Sequence, residues 1–320
     1  MRLGTYARAA GETWRAAAFL DDGRLLDLAA ALAHASATEG TAGAALGGHH
    51  PTSMHGWITP AGQALAARLI VQAADPARAD ALVDLASVVH GPPLPNPGKF
   101  IAAGRNYMDH VREGQAIWAA RGKKIEVPTF PTAFVKFAGG IVAHGMPIHI
   151  PPGIDTVDYE LELAFVIGRR AFRVSEAEAL SYVAGYTICN DVGARAIQRR
   201  EMEAQIGITL AKNFPSFAPT GPWLVTADEI PDPQTLDIRL TVNGAERQHA
   251  NTSDMMFSVA QLIAWWSQVG LEPGDMITTG TPSGVALARP EPEKFYLRAG
   301  DVVRLTIERV GVLENPVVQD

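Results

Sequence analysis

The chain has 320 residues, 47% of them hydrophobic and 19% charged, enough apolar material for a sizeable core, which excludes global disorder. Its 27 Lys and Arg against 34 Asp and Glu leave a net charge of −7 with no long basic run, so nucleic acid and anionic membranes are poor partners. The single cysteine, Cys189, excludes an internal disulfide and a cysteine-rich metal site, and no apolar run reaches the roughly 18 residues of a membrane span. The opening residues MRLGTYARAAGETW lack the apolar stretch of a secretory signal, so a cytoplasmic location is expected.

In chain order, residues 15–20 read as a strand and the D-D-G-R that follows as a hairpin turn. Helices are expected around 25–34 and 61–74, with a Gly- and His-rich loop over 40–55 between them. Four prolines in the eight residues 91–98 cannot continue a helix or a central strand, and the domain break is placed there: a small N-terminal α+β domain over 1–95 and a catalytic domain over 96–320. Beyond it, 99–104 reads as a short strand, 106–114 as a short helix and 127–152 as apolar runs broken by Gly and Pro. Strands are expected at 159–167, 184–189, 236–242 and 302–308. The best helix is 258–269, with Ser258 as N-cap and Gly270 as stop. The fold class expected is α+β, mainly β.

Several chemistries are absent: no G-x-G-x-x-G dinucleotide fingerprint, no phosphate-binding P-loop, no H-E-x-x-H zinc helix and no G-x-S-x-G nucleophile elbow. The anomaly is D-Y-E-L-E-L at 158–163. On a strand, Glu160 and Glu162 point to one side and Leu161 and Leu163 to the other. Two neighbouring carboxylates repel, and a hard divalent cation, Mg²⁺ before Mn²⁺ or Ca²⁺, relieves them; the bland reading is a solvated strand face. Asp191, at the end of an apolar run, reads as a third ligand or as a helix N-cap. His110 and Glu113 are three apart and share a helical face, which suits a general base on water or an exposed ion pair. Lys212, flanked by apolar and turn residues, points either into a site or to solvent. The small residues around Gly280 and Thr281 allow backbone N–H groups to approach a ligand carboxylate, or form an ordinary turn.

Taken in order, G-x-N-Y-x-D-H, D-Y-E-x-E-L, N-D-V-x-A-R, A-K-N-F and T-G-T-P-S-G-V resemble the fumarylacetoacetate hydrolase family over about residues 98–318. The resemblance implies a rolled, mostly antiparallel β catalytic domain, paired into a homodimer, that binds Mg²⁺ or Mn²⁺ and acts on 2-oxo or 2,4-dioxo acids of aromatic or sugar-acid catabolism. By the same resemblance Glu160, Glu162 and Asp191 ligate the metal, and His110 assisted by Glu113 activates water. Lys212 sits by the metal and the developing charge, and Tyr107, Arg195, Gln198, Gly280 and Thr281 line the substrate site. Phe134 and Lys136 also fit a family segment. The activity implied is hydrolysis of a carbon–carbon bond in a ketonic substrate, an acylpyruvate or fumarylpyruvate, with decarboxylation or isomerisation of a related 2-oxo acid as the alternative. Two departures stand out: Gly193 and Ala196 replace the Ser and second Asp of the common N-D-V-S-A-R-D, and an extended stretch, 115–129, follows the His110 segment.

Overall fold

The computed structural model describes all residues except 40, 41, 120, 121, 123, 125 and 206, so parts of the 40–55 loop and of the 115–129 stretch lie outside the described residues. The chain is α+β, 30% helical and 32% strand, with mostly antiparallel sheets. The large sheet runs Leu82–Asp84, Arg24–Asp27, Arg15–Phe19, Arg2–Ala7, Ala218–Thr226, Val183–Asn190, Leu161–Ile167, Met276–Thr278, Phe100–Gly104, Thr132–Val135. A five-stranded sheet of Ala245–Asn251, Asp237–Val242, Val302–Ile307, Gly311–Gln319 and Ile148–Ile150 packs beside it.

Residues on both sides of 95/96 share the large sheet, because Arg2 and Leu3 pair with Val225 and Leu224. The proline-rich segment lies against the first strand rather than in solvent. Gly91 N donates to Thr5 O at 2.9 Å, and Thr5 Oγ1 donates to Pro92 O at 2.7 Å. Proline rigidity suits such a strap, since its carbonyls still accept hydrogen bonds while no N–H is left unpaired.

Strand alternation decides where the site sits. Along Leu161–Ile167 every residue is buried. Leu161, Leu163, Phe165 and Ile167 join one apolar cluster, and Ala164 and Val166 join the other, which also holds Leu26, Leu28, Trp57 and Leu69 from the N-terminal region. Glu162 precedes Ala164 on the same side, so the carboxylates occupy the end of an apolar strand face. The hairpin expected at 15–24 forms, with strands Arg15–Phe19 and Arg24–Asp27. That second strand takes the first residues of the helix expected from 25; the helix itself is Leu28–Glu39, because Leu25 and Leu26 pair with Val83 and Leu82. The helix expected at 61–74 spans Pro60–Gln72. The best-signalled helix, Val259–Trp266, has Ser258 and Gln261 in a capping box and continues as a 3₁₀ turn to Gly270, at φ 78°.

Candidate metal and substrate site

Three links between neighbouring segments assemble the carboxylates. Asn190 lies beside Leu161 in register, its Oδ1 accepts from Glu160 N at 3.0 Å, and Asp191 N donates to Glu160 O at 2.8 Å. Asp191 is thereby set next to Glu160 and caps no helix; the following helix, Arg195–Glu203, starts beyond Ala194. Glu160, Glu162 and Asp191 are all buried and each offers an oxygen within 4.8 Å of the others. The solvated-face reading of the two glutamates therefore fails.

Cations surround the triad. Lys212 Nζ reaches Glu160 Oε2 at 2.5 Å, Asp191 Oδ2 at 3.0 Å and Asp191 O at 2.8 Å, which uses all three ammonium protons. Lys136 Nζ holds Asp191 Oδ1 at 2.5 Å, and Arg195 Nη2 holds Glu160 Oε1 at 2.6 Å. Burial alone would raise the Glu160 pKa, but Arg195 and Lys212 hold it well below the usual carboxylate range. Glu162 accepts the backbone N–H of Gly280 at 3.0 Å and has no ion-pair partner among the described residues. Burial first, then the charges of Asp191 and Glu160, push its pKa well up. Three hard oxygen donors, one of them poorly compensated, fit a hard divalent cation, which would share the second lone pairs of the three carboxylates.

The triad opens into a cavity of about 360 Å³ that is also lined by His110, Glu113, Arg195, Gln198, Lys212 and Thr281. His110 and Glu113 ride the helix Met108–Ala119, with Nδ1 3.4 Å from Glu113 Oε2. Glu113 Oε1 accepts from Gly284 N at 2.8 Å, which ties the pair to the loop after Thr281. Gln198 Oε1 accepts from Arg195 Nη1 at 2.8 Å, leaving its amide N–H groups to the cavity. Phe134 lines the cavity under the Lys212 ammonium, 5.5 Å from the ring centroid.

Two expected substrate residues are placed otherwise. Tyr107 is buried among Ile101, Leu163 and their neighbours in the larger apolar cluster and is not part of the cavity wall. Gly280 spends its N–H on Glu162, so it shapes the metal side rather than a ligand carboxylate. Its φ of 86° and the 2.9 Å between a built Cβ and Asn106 Cβ require glycine there. Asn106, in the same motif as Tyr107, is a strut: it donates to Thr279 O at 2.8 Å and Phe257 O at 2.9 Å. The departures at 193 and 196 leave the cavity whole. A Cβ on Gly193 would sit 3.1 Å from Lys212 Cε, so glycine gives that lysine room, and Ala196 is exposed.

Sequence reasoning passed over two residues. Asp158 is fully buried; Oδ2 accepts from Arg195 Nε at 2.7 Å and Oδ1 from Ala286 N at 2.8 Å, so it anchors Arg195 to a turn of the cavity wall. Its signal was its place in D-Y-E. Gln248 is the one buried residue of the strand Ala245–Asn251. Its Oε1 accepts from Leu161 N, between the two glutamates, at 2.9 Å, and its Nε2 donates to Thr281 Oγ1 at 2.8 Å. A glutamine in a polar strand carries no sequence signal for that role.

Residues 99–318 match the model of the fumarylacetoacetate (FAA) hydrolase C-terminal family, and the chain belongs to that family. It is 45% identical over 227 residues to a mitochondrial oxaloacetate tautomerase of Xenopus laevis, covering 71% of this chain and 67% of that one. Among solved structures, 2-hydroxyhepta-2,4-diene-1,7-dioate isomerase from Mycobacterium marinum superposes with a TM-score of 0.69 at 31% identity, covering 100% of this chain and 99% of that one. Maleylpyruvate hydrolase from Sphingobium sp. SYK-6, solved in complex with manganese(II) and pyruvate, superposes with a TM-score of 0.69 at 28% identity, with the same coverage.

Proposed function

We propose that this member of the fumarylacetoacetate hydrolase family is a metal-dependent hydrolase cleaving the C–C bond of a 2,4-dioxo acid of the acylpyruvate or fumarylpyruvate type. Glu160, Glu162 and Asp191 hold Mg²⁺ or Mn²⁺. The observation that carries this reading is one cavity whose wall holds both the carboxylate triad and the His110–Glu113 pair. The manganese and pyruvate in the Sphingobium hydrolase support the choice of cation and of the 2-oxo acid end.

When bound, the cation supplies Lewis-acid polarisation of the keto oxygen of a 2-oxo acid. With Nδ1 turned to Glu113, His110 takes a proton from water at Nε2, and Glu113 steadies the imidazolium that forms. The hydroxide adds to the distal carbonyl and the C3–C4 bond breaks. Its electron pair passes to C3 and the C2 oxygen, and C3 takes up a proton. The products are a carboxylic acid and pyruvate or a longer 2-oxo acid. Lys212 and Arg195, fixed in place by the carboxylates, offset the charge as it develops. Thr281 Oγ1 accepts from Gln248, so its own proton is directed to the cavity, where it and the Gln198 amide receive the substrate carboxylate.

A second reading, proton relocation without water or loss of CO₂, is favoured by the tautomerase and isomerase names of two relatives. A panel of 2,4-dioxo acids and oxaloacetate, each with Mg²⁺ and Mn²⁺ and with products identified by mass spectrometry, separates the readings. Metal-dependent release of pyruvate and a carboxylic acid is expected. A mass-neutral shift or loss of CO₂ would replace hydrolysis, and metal-linked stabilisation with no turnover would leave a binding protein. We further propose a cytoplasmic homodimer. Exposed Val135 on the edge strand Thr132–Val135, Phe137 just beyond it and Leu210 on the 3₁₀ turn Leu210–Lys212, whose neighbour Asn213 bonds to Val135 O and Phe137 N, support the dimer, and light scattering on the purified protein tests it.

A further inference from the structure

Lys212, which spends its ammonium protons on Glu160 and Asp191, rides a single 3₁₀ turn, Leu210–Lys212. So short a turn makes few backbone bonds of its own: Lys212 N reaches Thr209 O at 3.3 Å and Asn213 N reaches Leu210 O at 3.1 Å. The N–H groups of Thr209, Leu210 and Ala211 find no acceptor inside the turn, and the Thr209 side chain does not cap it. Their acceptor comes from the preceding helix. Glu201 Oε1 accepts from Thr209 N at 3.2 Å and from Leu210 N at 2.7 Å, and Oε2 accepts from Ala211 N at 3.1 Å.

Three successive backbone donors around one carboxylate form an anion nest whose anion is built into the chain. Glu201 makes no ion pair among the described residues, although Arg199 and Arg200 precede it, so its charge is spent on the turn. Its helix, Arg195–Glu203, also carries Arg195, which holds Glu160, and Gln198 at the cavity wall. Glu201 therefore joins Arg195 and Lys212, the two cations on Glu160, into one unit. From the opposite side Asn213 Nδ2 donates to Thr209 O at 2.8 Å and to Val135 O at 3.0 Å. The turn is gripped by an acceptor at its amides and by a donor at a carbonyl, and of these two grips the first reaches the helix of Arg195.

We propose that Glu201 is a positioning residue: by capping the turn Leu210–Lys212 it fixes the Lys212 ammonium on Glu160 and Asp191 and locks it to the helix of Arg195. Its effect on turnover rests on the reading that Lys212 offsets charge as it develops; its effect on geometry does not. A displaced cation loses more against the charge of the transition state than against the bound substrate, so the expected signature lies in kcat rather than in KM.

The test compares the wild type with Glu201→Ala and Glu201→Gln in the presence of Mg²⁺, by hydrogen exchange and by lysine acetylation, both read by mass spectrometry. In Glu201→Ala the amides of residues 209–211 should exchange, and Lys212 should acetylate, about tenfold faster, the effect of losing charge-assisted hydrogen bonds. Lys136, buried against the same Asp191, should keep its rate. Glu201→Gln, which offers one amide oxygen in place of two carboxylate oxygens, should fall between. Unchanged exchange at 209–211, or an unchanged Lys212 rate, overturns the proposal. Faster labelling of both lysines together with a lower melting temperature marks a general loosening and overturns it too. With acetylpyruvate, kcat of Glu201→Ala should fall about tenfold while KM changes less than about threefold; a change in KM alone overturns the link to Lys212. A wild type inert toward acetylpyruvate instead counts against the hydrolase reading, and exchange and acetylation still decide the role of Glu201.

Discussion

Two of the buried ionic clusters among the described residues are built on opposite principles. In the N-terminal region one carboxylate, Asp27, is surrounded by donors. Its Oδ2 accepts from Tyr6 Oη at 2.7 Å and Arg15 Nε at 2.8 Å, and its Oδ1 from Ala29 N at 3.0 Å and Ala30 N at 3.1 Å. At the cavity, four buried carboxylates, Asp158, Glu160, Glu162 and Asp191, face three buried cations, Arg195, Lys212 and Lys136. The surplus negative charge falls on Glu162. The first cluster is closed and holds a helix start to a strand. The second is short of one cation, and that shortage marks a place where a metal ion belongs. Burial of charge alone therefore does not distinguish a site from a strut; its balance does.

Changing the balance at Glu162 should have the largest effect. Glu162→Gln is expected to cost about a thousandfold or more in turnover and to abolish the rise in melting temperature with Mn²⁺. Without metal the same variant should be more stable than wild type at neutral pH. The Glu162 pKa is raised by folding, so its stabilising contribution is intact below the ordinary value of 4.5 and is lost as pH rises through the raised one. Melting curves against pH, with and without metal, read both effects; an unchanged metal response would erase the contrast between the clusters. His110→Ala comes next, with about 10²–10⁴-fold slower hydrolysis and the metal-linked stabilisation kept. Full activity in that variant would refute the water-activating role.

The closed cluster should answer only in stability. Asp27→Ala strands the Tyr6 hydroxyl, the Arg15 guanidinium and two helix N–H groups, and is expected to cost about 2–4 kcal/mol in urea unfolding. Turnover per folded molecule should stay unchanged; a fall would mean that the clusters are coupled. The smallest change is at His90, packed against Phe19 and Trp223 with its pKa pushed down to about 4, by burial and then by His144. The unfolded chain protonates near the ordinary 6.5 and the folded one only near 4, so stability falls with pH between those values, by about 3 kcal/mol at most. His90→Gln should flatten that part of the acid melting curve.

What the sequence determined by itself was local or compositional. Period-two alternation set Glu160 and Glu162 on one side, helical spacing set His110 beside Glu113, and Ser258 with Gly270 bounded a helix, because such geometry is written in spacing alone. The order of short motifs was enough to indicate the family, since each motif fixes a turn, a strand end or a ligand whose neighbours must match. Only the tertiary structure decided which residues meet across the chain. Asp191 had two readings until pairing with Leu161–Ile167 set it beside Glu160. Tyr107 and Gly280, equal to their neighbours in sequence, turned to the core and to Glu162. Gln248 gained significance from burial and from the partners it has. Hydrogen bonds of that kind join residues more than a hundred positions apart, as Asn106 to Thr279 shows. Each depends on where folding places both ends, and no spacing along the chain records it.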